Sequence, residues 1–221
     1  MHTFKTSKAK ENILAKIRKS LGDEKLPMPY PDAEKKTDPI YTYSGFSPEE
    51  VFAETFLSLG GKFIFCDNEQ ELMSNICILY QNHGWKQMLC ANERLLKLFH
   101  NNKIDIVLPA NPPMESADAC ITDCELLIGR TGSIMLSSAQ NMGRTAPMYY
   151  PVHIVFAYID QVVYDIDDAI KVMKRKYGSN IPSMINIATG PSRTADIEKT
   201  LVVGVHGPAK VYCFLINSER E

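Results

Sequence analysis

A chain of 221 residues, 45% of them hydrophobic, can bury roughly 70% of the surface that its unfolded form exposes, which is enough for one substantial core. Its 24 Lys and Arg against 26 Asp and Glu give a formal net charge of −2; this excludes a chain-wide field for nucleic acid or an anionic membrane, so charge-driven recognition has to be local. Met1-His2-Thr3-Phe4-Lys5 runs into lysines instead of an apolar leader and no apolar run is long enough to span a bilayer, so a cytoplasmic protein with no membrane span is expected.

Ser7 is placed to cap a helix in which Ile13, Leu14, Ile17 and Leu21 share one stripe, lysines and arginines fill the rest, and Gly22 ends the run. A narrow apolar stripe without Trp reads as a docking helix for a partner subunit or a second protomer, which would make a homo-oligomer, in preference to a membrane arm. Pro27, Pro29, Pro31 and Pro39 then break any periodicity. Residues 1–46 are therefore expected to be an amphipathic helix with a Pro-rich linker, and residues 47–221 one α/β domain.

The domain opens at Ser47-Pro48-Glu49-Glu50, where Ser and Glu have capping-box spacing and Pro takes the first helical position. Val51, Phe52, Phe56 and Leu59 face the core until Gly60-Gly61 stops the helix. Phe63–Cys66, a helical pattern with Leu72, Met73, Ile76 and Leu79, Gln87–Cys90, a helix near Leu95–Phe99 and Ile104–Leu108 follow. Short buried runs alternating with helices imply a parallel sheet covered on both faces.

The second half is richer in strands. Ala119–Ile121, Glu125–Ile128 and Ser133–Ser137 lie close together, the last two pairing as a hairpin across Gly129-Arg130-Thr131-Gly132. His153–Ile159 reads as a buried strand, Asp165–Lys176 as an amphipathic helix, Met184–Ala188 as a strand and Val211–Ile216 as a closing strand. The expected fold is α/β: an open, mostly parallel sheet with helices on both faces and an N-terminal helical arm.

In such sheets ligands gather beyond the carboxyl ends of strands, and two loops have the chemistry for it. Thr131, Gly132 and Ser133 combine a close backbone approach with hydroxyls suited to a carboxylate or phosphate, the competing reading being a tight turn. Gly190, Ser192, Arg193, Thr194 and Asp196 follow a buried strand: Ser192 or Thr194 caps a short helix, Arg193 clamps an anion and Asp196 orients the guanidinium. A plain capping segment with a surface Arg–Asp pair competes with it.

His206, between Gly204 and Gly207, suits a general acid/base that approaches a ligand closely, against the alternative of a structural turn histidine. Arg144 is a weaker candidate for the same pocket, as is His153, which heads an apolar strand and reads as a hydrogen-bonded core histidine. Six cysteines are scattered through apolar segments and read as reduced thiols. Cys120 and Cys124, separated by three residues, lack the second pair that a structural zinc needs, so no metal site is expected. Clustered cysteine runs, a complete Rossmann fingerprint and a Walker loop are all missing from the sequence.

The run Ile187-Ala188-Thr189-Gly190-Pro191-Ser192-Arg193-Thr194-Ala195-Asp196-Ile197-Glu198, followed by Leu201-Val202-Val203-Gly204-Val205-His206-Gly207-Pro208, resembles the signature of the LUD-domain family in its lactate-utilisation protein C branch. Thr131-Gly132-Ser133, Gly143-Arg144, Pro151-Val152-His153 and the N-terminal helix extend the resemblance over nearly the whole chain. It implies a fold like that of the ribose phosphate isomerase, coenzyme A transferase and formyltetrahydrofolate cyclo-ligase group. Arg130 departs from it, standing where similar proteins often carry an acidic residue.

The resemblance also implies a role in oxidising L-lactate to pyruvate beside iron–sulfur partner subunits, with no cofactor identified in this chain itself. The chain would then be an accessory or substrate-handling subunit of an oxidoreductase system. Two alternatives stay open: an independent enzyme or binding protein for a small anionic or coenzyme A-like ligand, and a non-catalytic scaffold. Fold kinship alone supplies no reaction.

Overall fold

The computed structural model describes residues 8–21, 45–90, 92–109, 117–140, 142, 144–194 and 202–218. Contacts divide the chain into two units, residues 1–43 and 44–221. The first contributes helix α1 (Lys8–Leu21), on which Ile13, Leu14 and Ile17 are exposed. The expected cap Ser7, the stop at Gly22 and the Pro-rich linker lie outside the described residues.

The second unit opens with α2 (Pro48–Ser58), where the Glu50 carboxylate accepts the Ser47 backbone N–H at 2.9 Å and the Ser47 hydroxyl at 3.1 Å. These bonds hold the first turn closed, and Phe52 and Phe56 stack at 5.2 Å on its buried side. There follow β1 (Lys62–Cys66), α3 (Glu69–His83), β2 (Met88–Cys90), α4 (Glu93–Asn101), β3 (Val107–Pro109) and β4 (Ala119–Asp123). Then come β5 (Leu126–Ile128), β6 (Ser133–Ser137), α5 (Ala146–Tyr149), β7 (Val152–Tyr158), β8 (Val162–Val163) and α6 (Ile166–Tyr177). The last elements are β9 (Ile185–Thr189), β10 (Arg193–Thr194), β11 (Val202–Val203) and β12 (Lys210–Ile216).

Six strands form a sheet in the order β1-β12-β7-β4-β2-β3, with every pairing parallel. Both its faces are buried, as the unbroken apolar runs require. On one face α3 and α4 cover Met88, Ile121, Ile154, Phe156 and Phe214. On the other, Val155, Ala157, Cys213 and Leu215 meet Phe52 and Phe56 of α2 together with Leu127, Ile134 and Leu136.

Those last three residues belong to a second sheet, ordered β8-β5-β6-β9, that packs on the expected parallel one, and β10 with β11 makes a third of two strands. The β5–β6 hairpin is antiparallel, as the glycine turn predicts, and β9 runs antiparallel to β6. The reason for a second layer is visible in the residues. Leu126, Leu127 and Ile128, like Ile134, Met135 and Leu136, are buried on both alternations, so each face needs a cover. The large sheet supplies one, and Ala169 and Met173 of α6 supply the other against Leu126, Ile128 and Met135.

Val211–Ile216, the expected closing strand, lies inside the large sheet between β1 and β7. Its six consecutive buried side chains fit an interior position. Cys120 and Cys124 are free, buried thiols, and burial pushes the Cys120 thiol up. Among the described residues no helix is long and apolar enough to cross a membrane.

Candidate functional site: a cleft between the two sheets

Along β9 the side chains alternate, and its register with β6 pairs Asn186 with Leu136 and Ala188 with Ile134. That phase turns Asn186 and Ala188 toward the large sheet, where His153 of β7 and Val211 of β12 are register partners. The layers do not close here, and a cleft of 360 Å³ remains between them. Ile134, Ala188 and Val211 give it apolar walls, and Met148 of α5 flanks it.

Beyond β9 the chain turns at Gly190 and packs against Leu59 at the end of α2. Arg193 donates from its guanidinium to the Leu59 carbonyl while the side chain stays exposed on the cleft rim. The Ser192 N–H donates to the Pro208 carbonyl at 2.9 Å and the Gly204 N–H to the Ser192 carbonyl at 3.0 Å. With the antiparallel β10–β11 pair, these bonds fasten the 190–194 loop to the 202–208 loop and bring His206 onto the same rim.

The floor carries His153, only 1% exposed, whose Nε2 lies 2.8 Å from the Thr122 hydroxyl. Burial pushes its imidazole down to about 4, so it is neutral near pH 7. A neutral, hydrogen-bonded imidazole below a cationic rim offers a dipolar partner to a ligand oxygen and leaves the charge to Arg193.

Five of the residues singled out from sequence therefore line one cleft: His153, Gly190, Ser192, Arg193 and His206. Thr131, Gly132 and Ser133 do not line it. They stand next to it, since the Ser133 hydroxyl is 2.8 Å from both the Thr189 and Thr131 hydroxyls, and Thr189 is a lining residue. Gly132 has φ +58°, and a Cβ there would fall 2.8 Å from the Phe56 nitrogen, so the turn is pressed against α2.

Arg130 pairs with Asp165 at 2.7 Å, and Asp165 also accepts the first N–H of α6. The Arg130 hydrogen bond holds that carboxyl below its ordinary value. Arg144 is exposed, reaches Ser183 at 2.5 Å and does not line the cleft. Thr194 pairs with Val202 in the small hairpin, and Asp196 lies outside the described residues.

The cleft follows the carboxyl end of β9, but it opens at the amino ends of β7 and β12, because β9 belongs to the second sheet. Asn186 and Met148 are lining residues that the sequence does not point to, and His153 reads from sequence chiefly as a core histidine. The signal for His153 was its place as the one histidine in an otherwise apolar run, Val152–Tyr158.

A family model described as the LUD domain matches residues 49–216. The chain is 38% identical over 108 residues to a protein named Lactate utilization protein C in Bacillus licheniformis, the match covering 48% of this chain and 45% of that relative. The protein of the same name in Bacillus subtilis is 34% identical over 105 residues, 47% of this chain and 44% of the relative. The matched stretch thus spans less than half the length of these curated relatives. Among solved structures, a DUF162 family protein from Deinococcus radiodurans superposes with a TM-score of 0.57 at 21% identity, covering 78% of this chain and 99% of that one.

Proposed function

Because this chain belongs to the LUD domain family, we propose that it serves lactate utilisation by holding a small 2-hydroxy or 2-oxo carboxylate in the inter-sheet cleft, as a substrate-handling subunit of an iron–sulfur oxidoreductase system that converts L-lactate to pyruvate. The shared name of the relatives supports the metabolic setting. One observation carries the site: Arg193 and His206 line the same cleft as the buried, neutral His153.

In this reading Arg193 anchors the carboxylate, with Ser192 and Thr189 supplying short-range hydrogen bonds. His153, positioned by Thr122, bonds to the oxygen on the neighbouring carbon, and His206 exchanges the proton at that oxygen. Ile134, Ala188 and Val211 shelter the methyl end. Oxidation of L-lactate releases two electrons and two protons: His206 would take the hydroxyl proton, and the iron–sulfur partner subunits would take the two electrons and the proton from the C2–H bond. The cysteines of this chain do not fit an iron–sulfur cluster: five of the six are buried among apolar side chains, and among the described residues no three Cys, His, Asp or Glu side chains are grouped so as to hold a metal.

Calorimetry with L-lactate and pyruvate tests the assignment. Arg193→Ala is expected to weaken binding about tenfold or more, roughly 1.4 kcal/mol, with the fold retained; unchanged affinity would reject it. Loss of growth on lactate in a strain lacking the chain, and co-purification of iron–sulfur subunits, test the larger setting. A free-standing enzyme acting on a small or coenzyme A-like anion is the second reading, favoured by two histidines on one cleft, and turnover by the isolated chain distinguishes it.

A further inference from the structure

At its carboxyl ends the large sheet divides. After β2 the chain passes through α4, whose Leu95 and Phe99 pack on one face, and after β4 it passes into β5 and β6, whose Leu127 and Ile134 pack on the other. β2 and β4 are hydrogen-bonded neighbours. Two adjacent parallel strands whose connections leave over opposite faces open a crevice between them. Two hollows, of 570 and 290 Å³, lie there and share Asn92 as a lining residue.

Their walls have complementary chemistry. On the larger side Arg94 and Lys97 project from successive turns of α4, the Arg94 guanidinium 4.9 Å above the Tyr158 ring, whose hydroxyl donates to Glu69 at 2.9 Å. On the smaller side stand Asp123, Gln140 and Glu125, and apart from Ala139 the lining is polar. Glu125 is 4% exposed and receives hydrogen bonds from Ser137 at 2.6 Å, Tyr177 at 2.6 Å and Lys176 at 2.7 Å. Burial raises its carboxyl, but the bonds from Lys176, Ser137 and Tyr177 outweigh burial and leave it below its ordinary value. Glu125 is buried, whereas Lys176 is half-exposed, so the pair runs from the base of the hollow out to solvent, where screening leaves it a weak source of stability.

From this arrangement we infer that the crevice between the carboxyl ends of β2 and β4 is a second binding site, for a small polyhydroxylated compound with one anionic end. Arg94 and Lys97 take the anion, while Asp123, Gln140 and Asn92 accept or bridge the hydroxyls, and Glu125 with Lys176 fixes the base. The site lies apart from the inter-sheet cleft, shares none of its lining residues and does not rest on the lactate reading.

Calorimetry on the full chain tests it with four probes: D-gluconate, sorbitol 6-phosphate, sorbitol and inorganic phosphate. Gluconate or sorbitol 6-phosphate is expected to bind about tenfold more tightly than either sorbitol or phosphate, and which of the two wins identifies a carboxylate or a phosphate end. Lys97→Ala, an exposed position, and Asp123→Asn are each expected to weaken that binding about fivefold or more, and Arg193→Ala to leave it within about twofold. The inference is overturned if no polyol anion binds, if sorbitol or phosphate alone binds as tightly, or if Lys97→Ala binds as wild type does. Loss of binding in Arg193→Ala alone would also overturn it, by placing the probe in the other cleft.

Discussion

The Ser133 hydroxyl lies 2.8 Å from the Thr189 hydroxyl, so the glycine turn and the polar loop begin from one cross-strand pair of β6 and β9. Ser133 is buried and its hydroxyl also reaches Thr131. Replacing it leaves two hydroxyls without their bridge. Ser133→Ala is expected to cost about 1 kcal/mol in urea unfolding and to weaken carboxylate binding through Thr189. Wild-type stability together with wild-type affinity would show that the turn and the cleft are uncoupled.

Gly132 combines a left-handed backbone with contact against α2, and the two effects can be separated. A Cβ at Gly132 would meet the Phe56 nitrogen at 2.8 Å, whereas at Gly84, with φ +61°, nothing lies within 4 Å. Gly84→Ala is expected to cost about 1 kcal/mol from backbone conformation alone. Gly132→Ala is expected to cost about 3 kcal/mol, because α2 must also shift. Equal losses of midpoint in denaturant would remove the steric part of this account.

His153 predicts a pH dependence with a definite sign. Its imidazole sits at about 4 in the folded protein against an ordinary 6.5, so the unfolded chain binds the extra proton between those values. The stability tied to its neutral form is complete above pH 6.5 and drains as pH falls toward 4, by up to about 3 kcal/mol. His153→Gln should flatten that part of the stability curve between pH 7 and pH 5. A parallel fall in the variant and the wild type would assign the loss to other groups.

Arg130 sets its guanidinium against Asp165 at the start of α6. Arg130 and Asp165 are each 25% exposed in their ion pair, so solvent screens much of it. Arg130→Ala is expected to cost about 0.5 kcal/mol. Arg130→Glu, which sets two carboxylates together at the start of α6, is expected to cost about 1 kcal/mol more, with the difference shrinking in 1 M salt. A stable Arg130→Glu protein with α6 intact would show that the pair is dispensable.

Local chemistry was legible in the sequence where neighbours along the chain decide the outcome. Ser47, Pro48 and Glu50 marked the start of α2, the Gly129–Gly132 turn marked the hairpin, and the apolar runs marked strands buried on both faces. Which strand belongs to which sheet was not legible, because β9 is chosen by β6, some fifty residues earlier, and both sheets draw on the same apolar residue types. The same blindness hid the floor of the cleft. His153 looks like a core residue from its own strand, and only the phase of β9 places Asn186 and Ala188 opposite it. Gly190, Ser192, Arg193 and His206 were found because their chemistry is concentrated within two short segments, whereas the β2–β4 crevice is assembled from four separated ones.

The last of the described strands, β12, lies second in the large sheet, between the edge strand β1 and β7. During synthesis β1 therefore waits without its partner until residue 216 has cleared the ribosome, and the sheet is completed by insertion instead of being extended at a margin. Nascent chains stalled short of that point should be open to protease along β1, and trimming that removes Lys210–Ile216 should detach β1 together with β12 and not merely fray a border.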